Sequence, residues 1–310
     1  MENVSRRLFL AASAGGVAAA TTGCAPSENS PAPTKASVTY EFVRNATARL
    51  SYAGLTILLD PMLSPKGALQ SFAGIAPNPT VDLPRPVDEI IADIDAVIVS
   101  HLHSDHFDEA ASEALAKDVP MLTPANTHIP DFSAPEKRET FEQSLRAMGF
   151  TNVTSLSEDG PTEFGALRVH QVWGLHGRGE VGQLLGNVNG MVLEAEGAPT
   201  IFWAGDSILD EAETGAILDR FKPDIVIAHT GGPIIEALSP EILLMDAAQA
   251  VRMMELASAA NPEARMVAVH MESLDHCFST RADLREALAS IDPAMSGRVF
   301  IPADGDSLTL

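Results

Sequence analysis

Residues 97–108 read VIVSHLHSDHFD. His101, His103, Asp105 and His106 fall within six positions, directly after an apolar run. Neutral imidazoles and carboxylates together form a donor set suited to zinc, iron or manganese. His101 and His103 are two apart, so along extended chain they point the same way. Asp105 and His106 follow as the chain turns, so two ligands can face one cation while the next pair faces a neighbour. The chain has two cysteines, Cys24 and Cys277, which excludes a closed thiolate site for structural zinc.

Residues of the same types close apolar runs elsewhere. TILLD finishes on Asp60, TIFWAGD on Asp206, DIVIAH on His229 and RMVAVH on His270. In open α/β sheets, sites collect in the crevice beyond the carboxyl ends of the strands. Several such ends meeting at one point would surround it with imidazoles and carboxylates. His176 lies in a glycine-rich stretch, HGRGEVGQLLGNVNG, whereas His170 reads as mid-strand and structural.

The elements that must position these residues follow from the hydrophobic pattern. Strand-like segments begin at residue 38 in VTYEFVRNATARLSYAGLTILLD, with a turn at Ala53-Gly54. DAVIVS, MLTPA, ALRVHQVW, NGMVLEAEG, TIFWAGD, PDIVIAH and RMVAVH read as further strands. Helices are predicted over 108–117 with Asp108 as N-cap, over 134–148 and near 210–220. Another is predicted from Ser239 or Pro240 to Asn261-Pro262, and a last one in STRADLREALASI, capped by Ser279 or Thr280. Residues 61–88, with six prolines, read as a long loop. Strands come first, then strands and helices alternate, without a linker after residue 38. The reading is one mixed α/β domain over 38–310.

The formal charge is −22, which repels polyanions and argues against a nucleic-acid partner. The first residues, MENVSRRLFLAASAGGVAAATTGC, pair two arginines with a small-residue apolar run. This is the layout of an export signal over 1–23, similar to a twin-arginine signal. Ala20–Cys24 resembles a lipoprotein cleavage box, so Cys24 is a candidate for lipidation and a membrane tether. Residues 24–37 read as a flexible tether, and the expected location is periplasmic or membrane-anchored.

HLHSDH resembles the H-x-H-x-D-H motif of the metallo-β-lactamase superfamily. Asp60, His176, Asp206 and His270 occur in the order of that family's other signposts. The resemblance covers roughly residues 38–305 and is nearest the compact branch that includes bacterial ascorbate-phosphate lactonase. It implies a four-layer αβ/βα sandwich with two metals, zinc first and manganese or iron as alternatives. His101, His103 and His176 would hold one metal; Asp105, His106 and His270 the other. Asp206 would bridge them and Asp60 would orient the motif loop. Asp105 would also orient the nucleophile or shuttle its proton, and His229 would line the pocket, binding substrate or donating a proton. His276, Glu272 and Asp275 are further pocket candidates; His128 reads as a surface loop residue. Phe72, Trp173 and Trp203 read as core or apolar wall.

The expected function is an exported dinuclear metal-dependent hydrolase that uses a metal-bound hydroxide on an ester, lactone or related small-molecule bond. Alternatives are a phosphodiesterase for lipid-derived substrates and, outside enzymes, a metal- or ligand-binding lipoprotein. No Gly-x-Ser-x-Gly elbow is present.

Overall fold

The computed structural model describes residues 35–129, 136–186 and 188–310. The expected signal segment, Cys24 and the tether up to residue 34 lie outside them. Two seven-stranded sheets make up the centre of the domain. The first runs, in spatial order, Ser307–Thr309, Thr39–Arg44, Thr47–Tyr52, Leu55–Leu59, Ala96–Ile98, Met121–Thr123 and Val153–Ser155. The second runs Val299–Phe300, Arg265–Val269, Ile225–His229, Ile201–Trp203, Gly190–Glu194, Leu167–Val172 and Thr162–Phe164. Each sheet is antiparallel at one side and parallel from its middle to the other.

Side-chain alternation explains why the parallel strands read as unbroken apolar runs: both their faces are buried. Ile57, Leu59, Ala96 and Ile98 point into the core between the sheets, while Leu58, Val97 and Val99 point outward. In the second sheet Ile225 and Ile227 face that same core, and Val226 and Ala228 face away. The outward set of the first sheet packs on Ala111, Leu115 and Leu145 of the helical layer. That of the second packs on Leu218, Met253, Met254 and Leu284. Helices therefore cover the outer face of each sheet, giving the four expected layers.

Helix Glu109–Ala114 starts at Asp108, whose side chain accepts from the Ala111 amide, as expected. Thr280 heads Arg281–Leu288 with a capping box. Two boundaries differ, and one helix is additional. Of the helix expected over 134–148, residues 134–135 lie outside the described residues, and over the rest it occupies Phe141–Ala147, because Thr140 and Gln143 form a capping box there. The helix expected from Ser239 or Pro240 starts at Ala247, where Asp246 caps it. Leu243, Leu244 and Met245 are instead buried in irregular chain beside the site. The glycine-rich break contains a short helix, Gly179–Leu185. Among the described residues no helix is long and apolar enough to cross a membrane.

Candidate metal centre

The parallel strands of both sheets deliver their ends to one place. Leu55–Leu59 leads to Asp60, and Ala96–Ile98 leads to Ser100 and the motif loop. That loop turns tightly, with the His106 amide donating to the His103 carbonyl at 2.9 Å. Opposite, Ile201–Trp203 leads to Asp206, Ile225–His229 ends on His229, and Arg265–Val269 leads to His270. His270 has a positive φ of 65°, outside the range most side chains adopt. Its amide is held by the Asn45 carbonyl at 2.9 Å. An added Cβ on Gly231 would collide with the His270 carbonyl oxygen, so the chain after His229 passes against His270 only as glycine.

Two donor groups result. His101, His103 and His176 form one; His106, Asp206, His229 and His270 form the other. Asp206 reaches both: its Oδ2 lies 3.1 Å from His106 Nε2, 3.6 Å from His176 Nε2 and 3.9 Å from His101 Nε2. Asp105 Oδ2 is 3.3 Å from His270 Nε2 and 3.6 Å from His106 Nε2. All seven residues expected as ligands are thus gathered in one cluster.

The hydrogen-bond pattern fixes where the protons are. His103 Nε2 faces the Leu185 carbonyl at 3.1 Å and His176 Nδ1 the Leu243 carbonyl at 2.9 Å. A carbonyl only accepts, so those outer nitrogens carry the hydrogens. His106 Nδ1 donates likewise to Asp60 at 2.7 Å. The Ser100 hydroxyl donates to Asp60 and so accepts from His101 Nδ1 at 3.0 Å. The inner nitrogens of His101 and His103 are left as lone pairs only 3.0 Å apart, and His106 Nε2, 3.2 Å from His270 Nε2 and 3.1 Å from Asp206 Oδ2, is open to a proton or to a metal in its place. Lone pairs crowded together beside Asp105 and Asp206 repel unless a cation lies among them. The donor set therefore fits divalent metal, and its outer partners orient it as metal-binding imidazoles are normally oriented.

Ionisation answers to the same arrangement. Burial, then the neighbouring His106 and His103, keep His101 well below the ordinary histidine pKa. Burial, reinforced by His176, pulls His103 down to about 4. Burial opposes charge on His106, but Asp206, Asp105 and Asp60 outweigh it and raise this histidine to about 10. Burial likewise opposes the Asp105 and Asp206 carboxylates, yet His106 and His270 hold both well below the usual carboxylate range.

Asp60 is fully buried and accepts from the Ser100 amide and hydroxyl, each at 2.6 Å, as well as from His106. His229 is fully buried, with Nδ1 2.6 Å from Asp206 Oδ1 and Nε2 accepting from the Trp203 indole at 3.0 Å. Both its ring nitrogens are engaged inside the protein. His170 pairs with Glu194 at 2.8 Å, and Glu272 with Arg281 at 2.6 Å. Trp203 is core, and Trp173 packs on the helix-covered face of the second sheet. His128 is not a free surface residue; it bonds Ser144 at 2.8 Å on a cavity wall.

That cavity, about 460 Å³, opens on His103, Asp105, His176 and Asp206. Phe72, Leu102, Leu184, Ile235 and Leu238 form apolar walls, and His276 stands among them. Among the described residues no Lys or Arg lines it. Sequence reasoning missed Asn45, whose side-chain amide donates to the Asp105 carbonyl at 2.9 Å. Its only sequence signal is that of a turn residue. The Leu185 and Leu243 carbonyls carried no signal at all.

Residues 56–271 match the family model described as the beta-lactamase superfamily domain. The UPF0173 protein YddR of Bacillus subtilis is 32% identical over 86% of this chain and 98% of its own. A UPF0173 metal-dependent hydrolase of Azorhizobium caulinodans is 25% identical over 63% of this chain and 76% of its own. Among solved structures, the isothiocyanate hydrolase from Delia radicum gut bacteria superposes with a TM-score of 0.74 at 34% identity. That superposition covers 87% of this chain and 98% of the other. The chain belongs to the metallo-β-lactamase superfamily and groups there with metal-dependent hydrolases.

Proposed function

We infer that the protein is an exported hydrolase that holds two divalent metals, zinc first, and cleaves small, uncharged substrates with an apolar body. The substrates are esters, lactones or isothiocyanates, which share an electrophilic carbon joined to a leaving oxygen or nitrogen. The observation that carries this reading is the meeting of the two donor groups on Asp206 at the floor of an apolar cavity. Two divalent cations held there would supply Lewis acidity and an ionised water near neutral pH. His101, His103 and His176 would bind one of them; Asp105, His106 and His270 the other, with Asp206 shared. Asp105 Oδ2 would also accept a hydrogen bond from the attacking water and orient it. Asp60 and His229 act through others: Asp60 fixes the ring of His106 and His229 the carboxylate of Asp206.

The isothiocyanate member of the substrate list comes from the 34% identical structure, whose name states that activity. An uncharged substrate is supported by the cavity wall, where among the described residues no Lys or Arg side chain stands to pair with a phosphate or carboxylate. A phosphodiesterase for lipid-derived substrates is disfavoured on that ground. Export rests on the first residues, whose paired arginines and small-residue apolar run have the layout of an export signal.

The test is a substrate panel on zinc-loaded protein: phenethyl isothiocyanate, ethyl phenylacetate, p-nitrophenyl phenylacetate, a δ-lactone and bis(p-nitrophenyl) phosphate. Chelator-sensitive turnover of uncharged members is expected. Turnover that survives chelation, or preference for the phosphodiester, would overturn the reading.

A further inference from the structure

His276 has no place in the metal centre. It follows His270 by six residues, is 6% exposed and lines the cavity that opens on Asp105 and His176. Its ring sits edge-on to Phe72, with centroids 5.0 Å apart. Nδ1 is sealed from solvent and has no hydrogen-bond partner among the described residues. Buried polar atoms in native proteins nearly always have partners, so each exception asks for an explanation. Every other histidine around the cavity, His103, His128 and His176, has one ring nitrogen committed to a protein group.

With Nδ1 sealed, the ring can meet a ligand only through Nε2. The proton belongs on that nitrogen, because a buried N–H without an acceptor is rarer, and costlier, than a buried lone pair. The opposite tautomer would bury an orphan donor and offer the cavity none. Burial keeps the imidazole neutral, pulling it down to about 4. His276 thus offers one neutral donor to a cavity whose walls are otherwise mostly apolar.

We propose that His276 Nε2–H contacts the substrate, donating a hydrogen bond to the oxygen or nitrogen that leaves the reacting carbon. The assignment rests on the substrate reading above. His276 gives up no proton in this contact: the leaving atom gains electron density as its bond to carbon breaks, the donor stabilises that density, and the proton that completes the leaving alcohol or amine comes from the water consumed in the hydrolysis. A fixed neutral donor contributes most where the charge on the leaving atom is largest, so its effect grows as the leaving group becomes poorer.

The experiment compares wild type, His276→Phe and His276→Gln, all zinc-loaded. Phenylalanine keeps a ring against Phe72 without a donor, and glutamine restores an N–H. Ethyl phenylacetate has a poor leaving group and p-nitrophenyl phenylacetate a good one. In His276→Phe, kcat/KM is expected to fall about 100-fold on the ethyl ester and less than about 3-fold on the nitrophenyl ester. His276→Gln should recover most of the loss, with zinc content unchanged in all three. A readout apart from turnover is nitrogen NMR of labelled histidine during titration with phenylacetamide. The Nε2 resonance missing from His276→Phe should shift on binding. Equal losses on both esters, no loss on either, or binding without that shift overturns the assignment alone. A wild type that neither turns over the esters nor binds the amide overturns the substrate reading and the assignment with it.

Discussion

His229 Nδ1 lies 2.6 Å from Asp206 Oδ1, and the Trp203 indole donates to the opposite ring nitrogen at 3.0 Å. An indole N–H is donor only, so His229 Nε2 must accept and Nδ1 must carry the hydrogen. The chain Trp203–His229–Asp206 therefore leaves Asp206 Oδ2 free to face the metal centre. His229→Ala should weaken zinc binding roughly 10–100-fold, the range found when orienting partners of ligands are removed. Trp203→Phe should do less, since it leaves the His229–Asp206 contact in place. Competition with a chromogenic chelator measures both. Unaltered zinc affinity in His229→Ala would refute an orienting role.

Gly231 makes a steric prediction for the same edge of the second sheet. A methyl group there meets the His270 carbonyl oxygen and Cys277. Gly231→Ala should displace His270 and destabilise the fold by about 1–3 kcal/mol, as overpacking does. Gly160→Ala, with open space around the new Cβ, is the control and should be close to neutral. Thermal melts and zinc content of the two variants give the comparison; matched behaviour would count against the close approach.

The metal-centre residues were legible because their chemistry is written in residue types at strand ends. His101, His103, Asp105 and His106 announce themselves by density, and Asp206 and His270 by ending apolar runs. His229 ends such a run too, but a strand end does not say which way the ring points, and here it turns inward to Trp203. Main-chain partners such as the Leu185 and Leu243 carbonyls have no side-chain signature. The late start of helix Ala247–Ala260 was hidden for a similar reason. Ile242, Leu243, Leu244 and Met245 continue the apolar pattern of the helix, yet they serve the wall behind His176. Periodicity cannot separate these uses; the cap at Asp246 decides the boundary.

Metal removal should expose the crowding of the inner nitrogens. In chelated protein, Asp206, Asp105 and Asp60 hold a proton on His106 with its pKa near 10 against burial. A histidine raised above its unfolded value of about 6.5 adds stability that is complete below that pH. The contribution is lost as pH rises through 6.5 toward about 10. Chelated protein should therefore melt at progressively lower temperature across that window. The zinc form should not follow it, because metal replaces the proton, and zinc affinity should climb with pH over the same span. Parallel melting profiles for the two forms between pH 6.5 and 10 would rule out this linkage.

Asp275 is the anchor of the long 61–88 loop. Its carboxylate accepts from the amides of Phe72 at 3.0 Å and Ile75 at 3.1 Å, the Asn78 side chain at 2.9 Å, and the Ser71 hydroxyl. Burial works against the charge, but these donors outweigh it and hold the carboxyl well below its ordinary pKa. Stability from a depressed carboxylate is present above the unfolded pKa of about 3.9 and is lost as pH falls below it. Asp275→Asn removes that dependence and turns an amide N–H toward donors. It should cost about 2–3 kcal/mol at pH 7, the scale of hydrogen bonds to a charged group. It should also flatten the stability profile of the protein below pH 4. Because the loop carries Gln70 and Phe72 to the cavity wall, KM for an ester should rise more than kcat falls. Urea unfolding at pH 7 and pH 3.5, with ester kinetics at pH 7, checks both halves. An unchanged acid slope would remove Asp275 as the titrating anchor, and an unchanged KM would separate the loop from substrate binding.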